Sequence, residues 1–252
     1  MESKNPIQVA DRLFDALEIL SEDGPLALSD LTTRLELNKS TVHRILSSLI
    51  YMGYVRQDPD TQKYDLTLKL LEMSNRLLER MDILEIIRPY LKQLCHESGE
   101  TVHLVQLEGT DAVYIHKEES FTNTIRMVSR VGSRIPVYCS GVGKALAADM
   151  DLTQVKQIWD NSEIRPLTEH TITDYSSFIQ KLDEVRRQGY ALDDEENEYG
   201  VRCIAAALTS SDGQPRFAFS ISAPINRMSD ERIRELSHLV LSVKRQLSRI
   251  SF

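Results

Sequence analysis

The sequence predicts a chain of the α+β class in two parts: a small helical bundle closed by a β-hairpin, then an antiparallel sheet flanked by helices. Three observations lead there. Caps and apolar stripes at helical spacing recur through residues 5–97, two short strands about a turn interrupt them at 54–66, and from residue 102 onward strands alternate with helices, mostly in hairpin order.

Asn5-Pro6 reads as an N-cap followed by proline at the first helical position, and Val9, Leu13, Leu17 and Leu20 form a stripe that stops near Asp23-Gly24-Pro25. A short second helix opens at Leu28-Ser29-Asp30, with Ser29 as its cap and Leu31 and Leu35 facing inward. Asn38 caps a third helix over 39–52 that Gly53 ends, with Val42, Ile45, Leu46 and Leu49 on its buried face. Residues 54–56 and 63–66 read as strands around the turn formers Asp58-Pro59-Asp60. Helix, short helix, turn, helix, hairpin is the order of a helix-turn-helix with a wing.

Helical spacing resumes over 67–97, with Asp82 and Pro89 as breaks or kinks. This stretch reads as a linker helix and the first helix of a second domain, and its apolar content also predicts packing against a partner subunit. Strands follow at 102–107 and 112–116 around Glu108-Gly109-Thr110-Asp111, at 124–129, 190–194, 203–209 and 216–223, the last pair joined by Ser211-Asp212-Gly213. Helices fall near Gly141, over 152–161 and 175–188, and over 229–250. The expected boundaries are therefore 1–66 for the winged helix-turn-helix, 67–82 for the linker helix and 83–252 for the second domain.

Bulk properties narrow the function. At 252 residues, 41% hydrophobic and 27% charged, the chain can bury two ordinary cores. It holds no apolar run of the roughly 20 residues a membrane helix needs, and its first residues lack a signal-peptide core, so a cytoplasmic protein without a membrane partner is expected. Cys95, Cys139 and Cys203 are isolated, the six histidines show no metal-binding spacing, and no G-x-S-x-G elbow occurs. No catalytic residue, metal or cofactor is expected, and the chain does not read as an enzyme.

The formal charge of −8 counts against a nucleic-acid partner. Screening, however, limits the reach of charge to roughly 8–10 Å at physiological salt, and residues 37–57 carry Lys39, Arg44 and Arg56 with no acid. Lys39, Ser40, Thr41, His43 and Arg44 occupy the first turns of the third helix, the part that such helices present to base edges in the major groove. Arg56 and Lys63 lie on the wing, placed for backbone or minor-groove contacts. Double-stranded operator DNA is the expected partner, and homo-oligomerisation follows because one such domain makes too few contacts to hold an operator alone.

In the second domain, Ser140-Gly141-Val142-Gly143-Lys144-Ala145 is not a phosphate loop: Tyr138 stands where the first glycine belongs and Ala145 replaces Ser/Thr. Glycines at a helix start either expose N–H groups to an anion or permit close helix packing. Asp193-Asp194-Glu195-Glu196 is either a solvated turn or a source of a carboxylate for ligand hydroxyls. Cys203, in an apolar run, reads as a buried inert thiol.

Several stretches together resemble the IclR family of bacterial regulators, and within it the branch of 2-keto-3-deoxygluconate regulators. They include Lys39-Ser40-Thr41-Val42-His43-Arg44, Met52-Gly53-Tyr54-Val55, Lys63-Tyr64-Asp65-Leu66, Val113-Tyr114-Ile115-His116-Lys117, Arg126-Met127-Val128-Ser129-Arg130, Gly141-Val142-Gly143-Lys144, Arg202-Cys203-Ile204-Ala205 and Ser220-Ile221-Ser222. The resemblance implies a GAF-like effector domain, a dimer or dimer of dimers on palindromic operators, and a repressor of sugar-acid catabolism genes (2-keto-3-deoxygluconate, pectin or hexuronate) released by a small carboxylate or sugar acid. It also implies an effector pocket at Met127, Gly141, Val142, Asp193, Cys203, Ser220 and Ser222. Alternation along strands puts Ser220 with Ser222 on one face and leaves Arg202 outside the pocket. On this reading an effector carboxylate lies against the N–H groups of Gly141 and Val142, and Asp193, which would repel it, binds hydroxyls at the opposite end. The alternatives are a regulator of the same type that senses another organic acid or activates, and, remotely, an enzyme built on Cys203.

Overall fold

The computed structural model describes residues 5–80, 82–120, 127–209 and 213–249, and the chain divides into two compact units, Met1–Arg80 and Met81–Phe252. The first contains α1 (Gln8–Asp23), α2 (Leu28–Arg34), α3 (Lys39–Tyr51), β1 (Val55–Gln57), β2 (Tyr64–Leu66) and α4 (Lys69–Glu79). Its core gathers Ala16, Leu20, Leu31, Val42, Ile45, Leu46, Leu49, Val55 and Tyr64. The β1–β2 wing is antiparallel and gains a third chain through a bridge between Leu26 and Tyr64.

Local chemistry sets the ends of α3. The Asn38 side chain accepts the Thr41 N–H at 2.9 Å, and Gly53 follows the last turn at φ 79°, a left-handed conformation that glycine reaches without a Cβ clash. Two other helix starts differ from expectation. α1 begins at Gln8, because Asn5 Oδ1 accepts the Ile7 N–H at 2.9 Å and holds Asn5-Pro6 in a turn outside the helix; Val9 is exposed, and Ala16 and Leu20 carry the burial. The N-cap of α2 is Ala27 rather than Ser29, since the Asp30 carboxylate reaches back to the Ala27 N–H at 3.3 Å.

The second unit contains α5 (Asp82–Ser98), β3 (Thr101–Glu108), β4 (Asp111–Glu118), β5 (Arg134–Pro136), α6 (Gly141–Ala148), α7 (Leu152–Asn161), α8 (Tyr175–Gln188), β6 (Ala191–Asp194), β7 (Val201–Thr209), β8 (Pro215–Pro224), a 3-10 turn (Ile225–Arg227) and α9 (Asp230–Leu247). Its strands form an antiparallel sheet in the order β5-β4-β3-β8-β7-β6. Side chains alternate between faces. One face carries Val102, Leu104, Ile204, Ala206, Phe219 and Ile221, with α5 and α9 against it. The other presents the small residues Ala191, Ala205, Ala207 and Ala218 to α6 and α8, which lets α6 settle close enough to be buried along its whole length.

The strand expected over 124–129 is corrected where it can be seen. Residues 121–126 lie outside the described residues, and Met127, Val128 and Ser129 are irregular. Lys117 Nζ donates to the carbonyls of Met127 (2.8 Å) and Ser129 (2.9 Å), so side-chain contacts replace a ladder there. The strand beside β4 is instead the short β5, ended by Pro136 at the sheet edge, where a missing N–H costs least. Of the expected Ser211-Asp212-Gly213 turn only Gly213 is among the described residues. No helix among the described residues is long and apolar enough to cross a membrane.

Candidate functional site

Chemistry-bearing residues collect in two places, one per unit. In the first unit Lys39, Ser40, His43 and Arg44 are exposed on the first turns of α3, and Thr41 is half-buried. Asn38 Oδ1 accepts from Ser40 Oγ and Thr41 Oγ1, each at 2.8 Å, as well as from the Thr41 N–H. Both hydroxyl protons therefore hold the helix start, and must swing away before they could donate to a phosphate. Lys39, Arg44 and Lys63 form no ion pair among the described residues, whereas Arg56 Nη2 lies 3.2 Å from Asp65 Oδ2 across the wing. At the wing tip Asp58 accepts the Thr61 and Asp60 N–H groups, and the bonds from Thr61 hold its carboxyl below the usual range. Sequence reasoning missed a groove of about 540 Å³ in which Lys39 meets Ser29, Thr32, Gln57 and Gln62; only the fold brings α2, α3 and the wing together.

In the second unit the strand register aligns Asp193, Cys203, Ser222 and Thr101 in one row, and Ala191, Ala205, Ser220, His103 and Lys117 in the next. Cross-strand partners share a face, and this is the face that α6 covers. A Cβ at Gly141 would lie 3.5 Å from the Ala205 Cβ and 3.6 Å from the Asp193 Cβ, so the start of α6 rests on β6 and β7. Its Gly143 N–H donates to Ser140 Oγ (3.1 Å), while the N–H groups of Gly141 and Val142 meet no protein acceptor among the described residues. The structure thus places Gly141, Val142, Asp193, Cys203, Ser220 and Ser222 around one region, with Met127 nearby through its bond to Lys117. Arg202 faces away, paired with Asp194 (2.7 Å) and Asp230 (2.9 Å).

One expectation fails on geometry: Asp193 does not stand at the far end from Gly141 but directly beside it. The Asp193 Oδ1 accepts the N–H groups of Glu196 (2.9 Å) and Asn197 (3.3 Å). Burial nevertheless pushes its carboxyl up to about 7, against the pull of the nearby Lys144 ammonium. Lys144 is fully buried and donates to Glu196 Oε1; the other Glu196 oxygen, Oε2, is buried without a hydrogen-bond partner. Burial raises the Glu196 carboxyl as well.

His103 is the centre of a polar chain on the same face. Its Nε2 lies 2.6 Å from Ser129 Oγ and its Nδ1 3.3 Å from Ser222 Oγ, which in turn is 3.4 Å from Ser220 Oγ. Burial, with the Lys117 charge, pushes the imidazole down to about 3, so it is neutral at physiological pH. Tyr114 packs on this ring with centroids 4.9 Å apart, and burial keeps its hydroxyl protonated. The Cys203 thiol is pushed up by burial and by Asp193, the reverse of an activated nucleophile. Sequence reading does not single out His103, Tyr114, Lys117 or Lys144, and it holds Glu196 only as one member of the acidic run 193–196. For Lys144 a signal existed, since a lone lysine in a helix apolar all round must itself be buried.

Comparison with known proteins gives both units the same kinship. Residues 9–59 match the IclR helix-turn-helix domain and residues 75–249 the bacterial transcriptional regulator IclR C-terminal domain. The chain is 38% identical over 247 residues to the HTH-type transcriptional regulator KdgR of Escherichia coli, covering 97% of this chain and 94% of that protein. It is 36% identical to KdgR of Dickeya chrysanthemi, over 97% of this chain and 81% of that one. The crystal structure of the Thermotoga maritima IclR superposes with a TM-score of 0.82 at 29% identity, over 96% of this chain and 98% of that one.

Proposed function

This chain belongs to the IclR family of bacterial transcriptional regulators, and from that premise we propose that it is a repressor of sugar-acid catabolism genes whose grip on operator DNA is released by a small carboxylate. The observation that carries the effector reading is the pair of unanswered N–H groups, Gly141 and Val142, at a helix start beside Asp193, Ser220 and Ser222. A helix N-terminus favours an anion. The neutral donors and acceptors around it, Ser220, Ser222, His103 and the Tyr114 hydroxyl, suit the hydroxyls of a sugar acid, and Met127 and Cys203 supply a less polar wall.

In this reading Lys39, His43 and Arg44 meet the major groove, Ser40 and Thr41 set the helix start, and Arg56 and Lys63 flank the backbone. A homodimer or dimer of dimers supplies two such heads. Leu68 just before α4 and Leu71 and Leu77 within it are exposed apolar residues that a partner subunit could cover. Ligand binding must favour one arrangement of the heads over another to alter operator affinity.

A thermal-shift screen of 2-keto-3-deoxygluconate, galacturonate, gluconate and small carboxylates tests the effector. A genuine ligand raises the melting temperature increasingly with concentration, and the same compound must weaken a gel shift on the gene's own upstream duplex. No shift from any sugar acid overturns the effector class. For the DNA side, Arg44→Ala is expected to weaken that complex by about 1–3 kcal/mol per half-site, roughly 5- to 150-fold, without changing the melting temperature. Unaltered affinity at fixed salt would remove Arg44 from the interface.

A further inference from the structure

We propose that the effector site binds its carboxylate together with one proton, taken up by Asp193. The inference rests on the effector reading above and adds the state in which the site accepts its ligand. Charge counting in the buried cluster comes first. One ammonium, Lys144 on α6, serves two carboxyls, Asp193 at the end of β6 and Glu196 in the turn after it. With both carboxyls ionised the cluster already holds one excess negative charge. Of the other titratable groups around the cluster, Cys203 on β7, Tyr114 on β4 and Cys139 ahead of α6 are held neutral, Glu198 is a further acid beside Cys203 and Tyr114, and the two further cations are already paired, Lys117 with Glu119 and Lys181 with Glu184. His103 on β3 is neutral too.

An effector carboxylate on the Gly141 and Val142 N–H groups would stand beside the Asp193 side chain, because a Cβ at Gly141 already touches the Asp193 Cβ at 3.6 Å. Two like charges in a buried site raise each other's proton affinity. The cluster also leaves an acceptor unanswered: Glu196 Oε2 is buried without a hydrogen-bond partner, while the bond from Lys144 goes to Oε1. A proton on Asp193 removes the repulsion and converts its free oxygen into a donor for the incoming anion. Its Oδ1 keeps both backbone N–H bonds, so the loop need not move.

The sign follows from linkage. The carboxyl of the ligand-free protein titrates near 7, so below that pH the proton is already in place, and above it binding must draw one from solvent. Sugar acids themselves stay anionic throughout.

Isothermal titration calorimetry of the full chain decides the matter, with 2-keto-3-deoxygluconate and gluconate as probes at pH 6 and pH 8, each in two buffers of different ionisation enthalpy. The expected result is uptake of about one proton per site at pH 8 and almost none at pH 6, with affinity falling about fivefold from pH 7 to pH 8. Asp193→Asn, which keeps the acceptor for both N–H groups and resembles the protonated acid, should bind with no proton uptake and no pH dependence. Binding at pH 8 without proton uptake by the wild-type protein overturns the proposal, whether or not the variant folds. Uptake that persists in Asp193→Asn overturns it also, and moves the proton to Glu196. Failure of both probes to bind at pH 6, where no proton is needed, overturns the sugar-acid reading itself and this proposal with it.

Discussion

Lys144→Ala is expected to cost the second unit about 3–5 kcal/mol, the penalty for leaving a buried charge without its partner. Most single surface lysines would cost a few tenths. The reason lies in where α6 runs: the sheet beneath it offers alanines, the helix sinks until none of its residues is exposed, and Lys144 goes with it. Its ammonium is then shut off from bulk solvent, and among the described residues its hydrogen bond goes to Glu196 Oε1. Removing it strands Glu196, whose backbone N–H also bonds Asp193 and whose carbonyl accepts Thr171 Oγ1 at 2.6 Å. The turn that carries Asp193 is thereby loosened from both sides.

For a unit of this size the loss corresponds to roughly 6–20 °C in melting temperature, readable by circular dichroism. The double replacement Lys144→Met with Glu196→Leu should recover much of it, because exchanging a buried pair for apolar side chains of similar volume is often neutral. If Lys144→Ala melts with the wild type, the ammonium is not buried in solution. If the double variant melts as low as the single one, the pair contributes more than its own desolvation cost.

How much of this was legible in the sequence varied with how local the cause is. The start and stop of α3 follow from Asn38 and Gly53, each acting within a few residues, and both were readable. The starts of α1 and α2 were misplaced for a reason equally local: Asn5 and Asp30 bond the backbone N–H of Ile7 and Ala27, and such competing turns look like caps in sequence. In the second unit alternation marks which residues of one strand share a face, so Ser220 with Ser222 could be paired. Alternation cannot say that β3 lies next to β8 while β6 sits at the far edge. That order is a long-range fact, and it alone brings His103 against Ser222 and sets Asp193 in the row of Cys203. The family resemblance supplies Asp193 and Cys203 without the geometry, and so gives no sign that Asp193 lies directly beside Gly141.

The glycines of the Gly141-Val142-Gly143 motif are open to two explanations, an anion cradle or a close packing contact, and the two residues differ sharply in the space around them. Gly143→Ala is expected to destabilise the second unit by about 3 kcal/mol or more, since its Cβ would fall 2.3 Å from both the Cα and the carbonyl oxygen of Val137, main-chain atoms that cannot swing aside. Ser140 is drawn in as well, because its hydroxyl would lie 2.7 Å from the new methyl while still holding the Gly143 N–H and the Pro136 carbonyl. Gly141→Ala meets milder crowding, 3.3 Å from the Asp193 nitrogen and 3.5 Å from the Ala205 Cβ, which a shift of a few tenths of an ångström can absorb. The methyl would nonetheless fill space beside Asp193 on the residue whose N–H is proposed to hold the effector carboxylate. A melting curve and an effector titration on the two variants therefore separate the roles. Gly143→Ala should lose fold stability first, whereas Gly141→Ala should keep most of its melting temperature and lose effector affinity. Equal loss of stability in both would reduce the motif to packing and leave the anion site without its helix start.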